Sequence, residues 1–341
     1  MDHFKSFSRC ALLFVFLLII VSCKSTSGVS ESKEASLNTL AFGSCNRQDL
    51  PQPLWGLIMK DQPQVFMWTG DVVYVNADSE KTMRQSYQEQ LENAGYSRLV
   101  EDPLVEVIGT WDDNDYGSNN GGAEYSKKEL SQQIFLDFLG EPPGLNRRLQ
   151  QGIYSVHDYG PADQLVRVIL LDDRFHKQKV GSSKSADLLG EAQWSWLESQ
   201  LRQSSAKVHI IVSGIQILSQ EHPYESWGQY PASRRRLLNL IKTHKPSGTL
   251  LISGDRHIAE ISRLNLGSET EPWWLYDITS SGMTHSYEDH PGEPNSLRVG
   301  PLFSQLNYGR LKFDWSRRRP KVTADVVSVD GKVVLSADVV K

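Results

Sequence analysis

Short apolar runs that stop abruptly at small and charged residues recur along the chain. Residues 40–43 lead into Gly43-Ser44-Cys45, residues 64–69 into Gly70-Asp71, residues 104–110 into Trp111-Asp112-Asp113, residues 166–171 into Asp172-Asp173-Arg174, and residues 249–253 into Gly254-Asp255-Arg256-His257. Such continuous runs predict buried strands, since a strand covered on both faces has no polar side to alternate with. Residues 152–157 alternate with period two and 208–213 form another run, while 258–264 and 273–279 predict strands of a second sheet. Helical spacing predicts helices over 54–60, 127–139, 191–202 and 234–243, and a charged helical excursion over 79–101 whose Met83, Tyr87, Leu91 and Tyr96 serve packing. Residues 321–329 and 332–339 flank Asp330-Gly331, a hairpin with a two-residue turn. Strands interleaved with helices make the chain α/β.

At 341 residues and 39% hydrophobic content, the composition fits one catalytic domain. The formal net charge is −5 and no basic stripe is present, so binding to a nucleic-acid backbone is not expected. Lys5 and Arg9 precede an apolar stretch, residues 11–21, too short to span a bilayer comfortably. It ends in Ile20-Val21-Ser22-Cys23, which resembles the lipobox of bacterial lipoproteins. The expectation is a signal peptide over 1–22, lipidation at Cys23, a solvated tether over 23–38 and a folded domain over 39–341. The protein would then be exported and anchored to a membrane by lipid, facing the periplasm or the cell surface. Cys10 would leave with the leader and Cys23 would carry lipid, which isolates Cys45 in an oxidising compartment. Cys45 is then either an inert buried thiol or a metal-bound thiolate, and its place at a strand end favours the second.

Convergence of these ends would assemble a thiolate, several carboxylates, the Tyr74 phenol and an imidazole. Hard oxygen donors suit Ca²⁺ or Mg²⁺, while thiolate and phenolate suit a trivalent or borderline transition metal, so two unlike ions make better chemical sense than two identical ones. Two metals can clamp a phosphoryl oxygen and bring the pKa of a bound water near neutrality, which points to phosphate-ester hydrolysis. No Gly-x-Ser-x-Gly elbow is present to support a serine hydrolase.

Gly43-Ser44-Cys45, Gly70-Asp71-x-x-Tyr74, Trp111-Asp112-Asp113, Leu171-Asp172-x-Arg174, Ser253-Gly254-Asp255-x-His257 and Ser280-Ser281-Gly282 together resemble the PhoD-like (alkaline phosphatase D) branch of the metallophosphoesterase superfamily. The resemblance implies an αββα sandwich of two mixed β-sheets flanked by helices, and a cluster of Fe³⁺ with Ca²⁺. It implies that Cys45 and Tyr74 bind the ferric ion, that Asp71 bridges both metals, that Asp113 binds the second metal, and that Asp255 and His257 close the cluster. It also implies that Arg174 clamps substrate phosphate while Asp172 orients it, and it makes Asn119 a weaker candidate for the calcium shell. The plainer reading of Asp172 and Arg174 is a surface ion pair. The implied activity is hydrolysis of phosphate monoesters or diesters by metal-bound hydroxide.

One position departs from the family pattern: Asn114 stands where members commonly carry histidine in Trp-Asp-Asp-His. Asparagine donates a hydrogen bond but supplies no proton in the useful pH range, which puts general-acid assistance in doubt and makes His285 a possible substitute. Two alternatives stay open: a phospholipase-type diesterase acting on lipid head groups beside the anchor, and a surface lipoprotein that binds ligands without turning them over.

Overall fold

The computed structural model describes residues 35–75, 79–183, 185–290 and 292–341, together with Met1. The expected leader, Cys23 and residues 24–34 of the expected tether lie outside the described residues. The first half of the chain forms β1 (Thr39–Gly43), α1 (Trp55–Lys60), β2 (Val65–Thr69), α2 (Glu80–Glu92), α3 (Ala94–Glu101), β3 (Glu106–Thr110), α4 (Asp113–Tyr116), α5 (Lys128–Phe138) and α6 (Asn146–Leu149). There follow β4 (Ser155–Tyr159), β5 (Val166–Leu170), α7 (Gly190–Leu201), β6 (Val208–Val212), α8 (Pro231–His244), β7 (Thr249–Ser253), β8 (Ala259–Asn265), β9 (Trp274–Ser280), β10 (Asn307–Asp314), β11 (Lys321–Ser328) and β12 (Val333–Val340). Among the described residues no helix is long and apolar enough to cross a membrane.

The strands form two six-stranded sheets, ordered β12-β11-β10-β1-β2-β3 and β4-β5-β6-β7-β9-β8. Both are mixed. In the first, β1, β2 and β3 run parallel and β10 joins β1 antiparallel; in the second, β5, β6, β7 and β9 run parallel between antiparallel edges β4 and β8. Neighbouring residues of one strand serve different cores because side chains alternate across a sheet. Leu40, Phe42, Val65 and Met67 pack between the sheets against Val168, Leu170, Ile210 and Ile252. Ala41, Phe66 and Trp68 point the other way, into an outer core with Trp55 of α1, Tyr96 of α3 and Phe135 of α5. Ile169, Ile211 and Leu251 do the same in the second sheet, beneath Trp194 and Leu197 of α7 and Leu237 of α8. Two helical layers therefore enclose two mixed sheets, the αββα sandwich expected from the sequence.

The structure departs from the sequence expectation at four places, each for a local reason. The excursion over 79–101 is two helices, because Asn93 leaves helical geometry and its Oδ1 accepts the Gly95 and Tyr96 N–H groups as the cap of α3. The strand expected at 152–157 begins at Ser155: Gly152 has φ +102°, and the Ile153 N–H donates to Asp172 Oδ2 at 2.8 Å instead of to a strand neighbour. The closing hairpin has a three-residue loop, since the Gly331 N–H donates to Ser328 O at 2.9 Å and Gly331 at φ +78° forms the bulge after the turn. Strand β10 was not expected at all. Leu311 and Phe313 face the inter-sheet core and alternate with Arg310, Lys312 and Asp314, a period-two signal that covers only half of the strand; Arg310 is spent on ion pairs with Asp61 and Asp325.

Candidate metal centre

The carboxyl ends of β1, β2, β3, β7 and β9 meet at one rim of the sandwich. That is where parallel α/β sheets present side chains to a ligand, because the connections leaving the strands diverge there. The Asn46 N–H donates to Asp71 O at 2.8 Å and the Met283 N–H to Ser44 O at 3.1 Å, lacing three of these connections together. Close approach needs small residues. A Cβ on Gly254 would lie 2.5 Å from Thr69 O of the opposite sheet, and one on Gly70, which has φ +95°, would lie 2.5 Å from Asp112 Cβ.

Four residues at this rim carry unusual backbones. Cys45, Asp71, Asp255 and His257 have φ of 57°, 52°, 69° and 54°. Left-handed geometry costs a non-glycine residue of order 1–3 kcal/mol, so four instances in one place mark a site whose side-chain directions matter more than local comfort.

Three of their side chains, those of Cys45, Asp71 and His257, converge with Tyr74. Tyr74 OH lies 3.0 Å from Asp71 Oδ2 and 3.0 Å from His257 Nε2, and Cys45 Sγ lies 3.6 Å from Asp71 Oδ2. Ser281 organises this half, its Oγ 2.9 Å from Cys45 Sγ and accepting the His257 N–H at 2.9 Å. His285, which sequence reasoning had offered as a proton donor, sits with Nε2 3.2 Å from His257 Nε2. A second half lies across Asp71. Donor atoms of Asp71, Asp112 and Asp113 fall within 4.8 Å of one another, as do those of Cys45, Asp71 and His257, so Asp71 belongs to both groups. Asn114 Nδ2 reaches both Asp71 oxygens at 3.2 Å and Asp113 Oδ1 at 2.9 Å. Asp255 stands outside both groups, with its carboxylate 3.9 Å from Arg256 Nη1.

Burial sets the electrostatics. Desolvation first, and then Asp113, Asp115 and Asp255, push the Asp71 carboxyl well above its ordinary range. Burial and then Asp71 do the same to the Cys45 thiol. Asp255 is pushed up to about 7 by burial and then Asp113, and burial holds His257 down to about 3. Asp112 Oδ2 is buried without a hydrogen-bond partner. A thiol, a phenol, an imidazole and crowded acids around one orphaned oxygen fit multivalent cations: a positive charge there would let the acids ionise together.

Four expectations need correction. Arg174 is fully buried and its guanidinium is already engaged, by Asp112 and by Glu225 Oε2 at 2.6 Å, so it presents no free fork to a substrate. Asp172 does not hold that guanidinium: its Oδ1 accepts Trp111 Nε1–H and the Arg174 and Phe175 N–H groups, each at 2.9 Å, and so fixes the turn. Nor are the two a surface pair, since both are buried. Asn119 is exposed, and it is the Asn120 N–H that reaches Asp113 Oδ2 at 2.6 Å. Sequence reasoning missed Glu225 altogether, and it missed the use of Asp112 as the partner of Arg174. Glu225 also pairs with Lys177 Nζ at 2.7 Å, and Lys177 holds Asn120 O at 2.8 Å, so one buried chain of charge runs behind Asp113.

Fold and site together define an α/β sandwich protein with a buried candidate metal centre at one rim. The chain belongs to the PhoD-like phosphatase family, whose model matches residues 105–289. Alkaline phosphatase D of Bacillus subtilis (strain 168) is 30% identical over 90 residues, covering 24% of this chain and 15% of that protein's length. Among solved structures, the structure of PhoD superposes with a TM-score of 0.67 at 18% identity over 89% of this chain and 72% of that one. A dimetal phosphatase from Danio rerio gives 0.53 at 11% identity, covering 89% and 99% of the two chains. At these identities the structural likeness is one of fold.

Proposed function

We propose that the protein hydrolyses phosphate esters at a metal cluster held by Cys45, Asp71, Tyr74, Asp113, Asp255 and His257, with Asp112 as a further acidic neighbour. The observation that carries this reading is the convergence on Asp71 of a thiol, a phenol and two further carboxylates from the first sheet and an imidazole from the second. The donor set supports a ferric ion on the Cys45–Tyr74–His257 side, where the soft and phenolic donors lie, and calcium on the all-carboxylate side. Bound cations would supply Lewis acidity to the phosphoryl oxygens and lower the pKa of a coordinated water. The chain's own residues do the positioning. Ser281 fixes Cys45 and His257 relative to each other, and Asn114 ties Asp71 to Asp113. Arg174 balances the Asp112 charge from behind without touching substrate. The lipobox pattern at Cys23 supports an exported, lipid-anchored setting.

Elemental analysis of the purified protein, paired with turnover of an activated phosphate diester, tests the assignment. Bound iron and hydrolysis, both diminished in Cys45→Ser, are expected; metal-free protein that hydrolyses the ester equally well would refute it.

Asn114→His is expected to raise turnover of esters with poor leaving groups, because imidazole can deliver a proton where the amide cannot. Rates measured across esters of graded leaving-group pKa decide this. A slope unchanged from wild type would show that no proton is supplied from this position.

A further inference from the structure

Two large aromatic side chains stand exposed beside the buried centre. Tyr224 is 47% exposed and Tyr287 is 45% exposed, and neither belongs to a core cluster. Each rests on one of two successive residues of the turn after β7. The Tyr224 ring lies 4.0 Å from Arg256 Cζ, and the Tyr287 ring centroid lies 4.9 Å from that of His257 at an interplanar angle of 48°. Their supports are fixed. Arg256 is buried and paired with buried Glu293, which His290 Nε2 also contacts at 3.0 Å. The Tyr287 N–H donates to His257 O at 3.1 Å and its carbonyl accepts the His290 N–H at 3.0 Å. Rigidly mounted rings lose little entropy when another ring stacks on them.

We propose that Tyr224 and Tyr287 form an aromatic rim that receives the leaving group, and that the preferred substrates are phosphate esters of planar aromatic groups, a nucleoside or a phenol. The inference rests on the hydrolytic reading above for the position of the phosphoryl group. A phosphate held beside His257 puts a ring attached to it, directly or through a pentose, within stacking reach of Tyr287, with Tyr224 alongside. A glycerol head group has no π-face and gains nothing there, so the rim argues against phospholipids as the main substrate.

The test uses the metal-loaded full chain and three phosphonates that cannot be hydrolysed at the carbon–phosphorus bond: methylphosphonate, phenylphosphonate and adenosine 5′-phosphonate. Calorimetry should show one or both aromatic phosphonates binding at least about tenfold more tightly than methylphosphonate, the scale of a single stacking contact. That ratio should fall towards one in Tyr224→Ala/Tyr287→Ala and persist in Tyr224→Phe/Tyr287→Phe. Methylphosphonate serves as the reference in every variant, so general damage to the centre is seen separately from loss of the rim. A gain for phenylphosphonate alone identifies aryl esters, and a gain for the adenosine compound alone identifies nucleotides. Equal affinities in the wild type, a ratio that survives the double alanine variant, or no binding of any phosphonate would overturn the proposal. Should the ratio hold while no phosphate ester is turned over, the hydrolase reading falls and the rim stands as a recognition surface.

Discussion

Asp71→Asn is expected to lower turnover of an activated phosphate ester by at least about a thousandfold, with metal content falling in parallel. Asp71 is the residue common to both donor groups, so its charge serves both halves of the centre. Asparagine keeps the shape and tolerates the φ of 52° better than most residues, which separates the electrostatic role from the backbone role. The same substitution should stabilise the metal-free protein. Burial and neighbouring acids raise the folded-state pKa of Asp71 above its unfolded value, so stability is fully present below the ordinary carboxylate range and is lost as pH rises through the folded value. Urea midpoints of the metal-free wild type should therefore fall as pH rises from the acid side, and those of Asp71→Asn should fall less. Retained turnover in Asp71→Asn, with wild-type metal content, would contradict its place at the centre.

Arg174→Met should act on stability more than on substrate affinity. Removing one partner from a buried ion pair leaves uncompensated charge and costs about 3–5 kcal/mol. Here Asp112 and Glu225 would both be left, although Lys177 still faces Glu225. Chemical denaturation at neutral pH measures the loss. The cost of Arg174→Met should be partly relieved by adding Glu225→Gln, since the two side chains touch and their effects are coupled. A free phosphate clamp would behave differently: KM would rise many-fold while the urea midpoint stayed near wild type.

Much of the sandwich could be read because buried parallel strands advertise themselves as unbroken apolar runs, and because such a strand commits its last residue to one rim. That Asp71 and His257 would meet at one rim was legible for that reason, each following such a run within a few residues. Chemistry that depends on the facing of a turn was not legible. Asp172-Asp173-Arg174 gives no sign that the arginine folds inward to Asp112, a residue more than sixty positions earlier. Glu225 lies in an irregular stretch between β6 and α8, where no periodicity points to a buried role. Strand β10 escaped because its alternation begins only at Arg310, after Asn307, Tyr308 and Gly309, which are all buried and carry no pattern.

Strand β10 ties residues 307–314 to the strand that leads into Cys45. It lies directly beside β1, with Phe42 opposite Gly309, and a Cβ on Gly309 would fall 2.2 Å from Phe42 Cζ. Since β1 leads directly into Cys45, a truncation that removes β10 is expected to strip the neighbour that holds this end of β1 in register, and with it the position of the thiol.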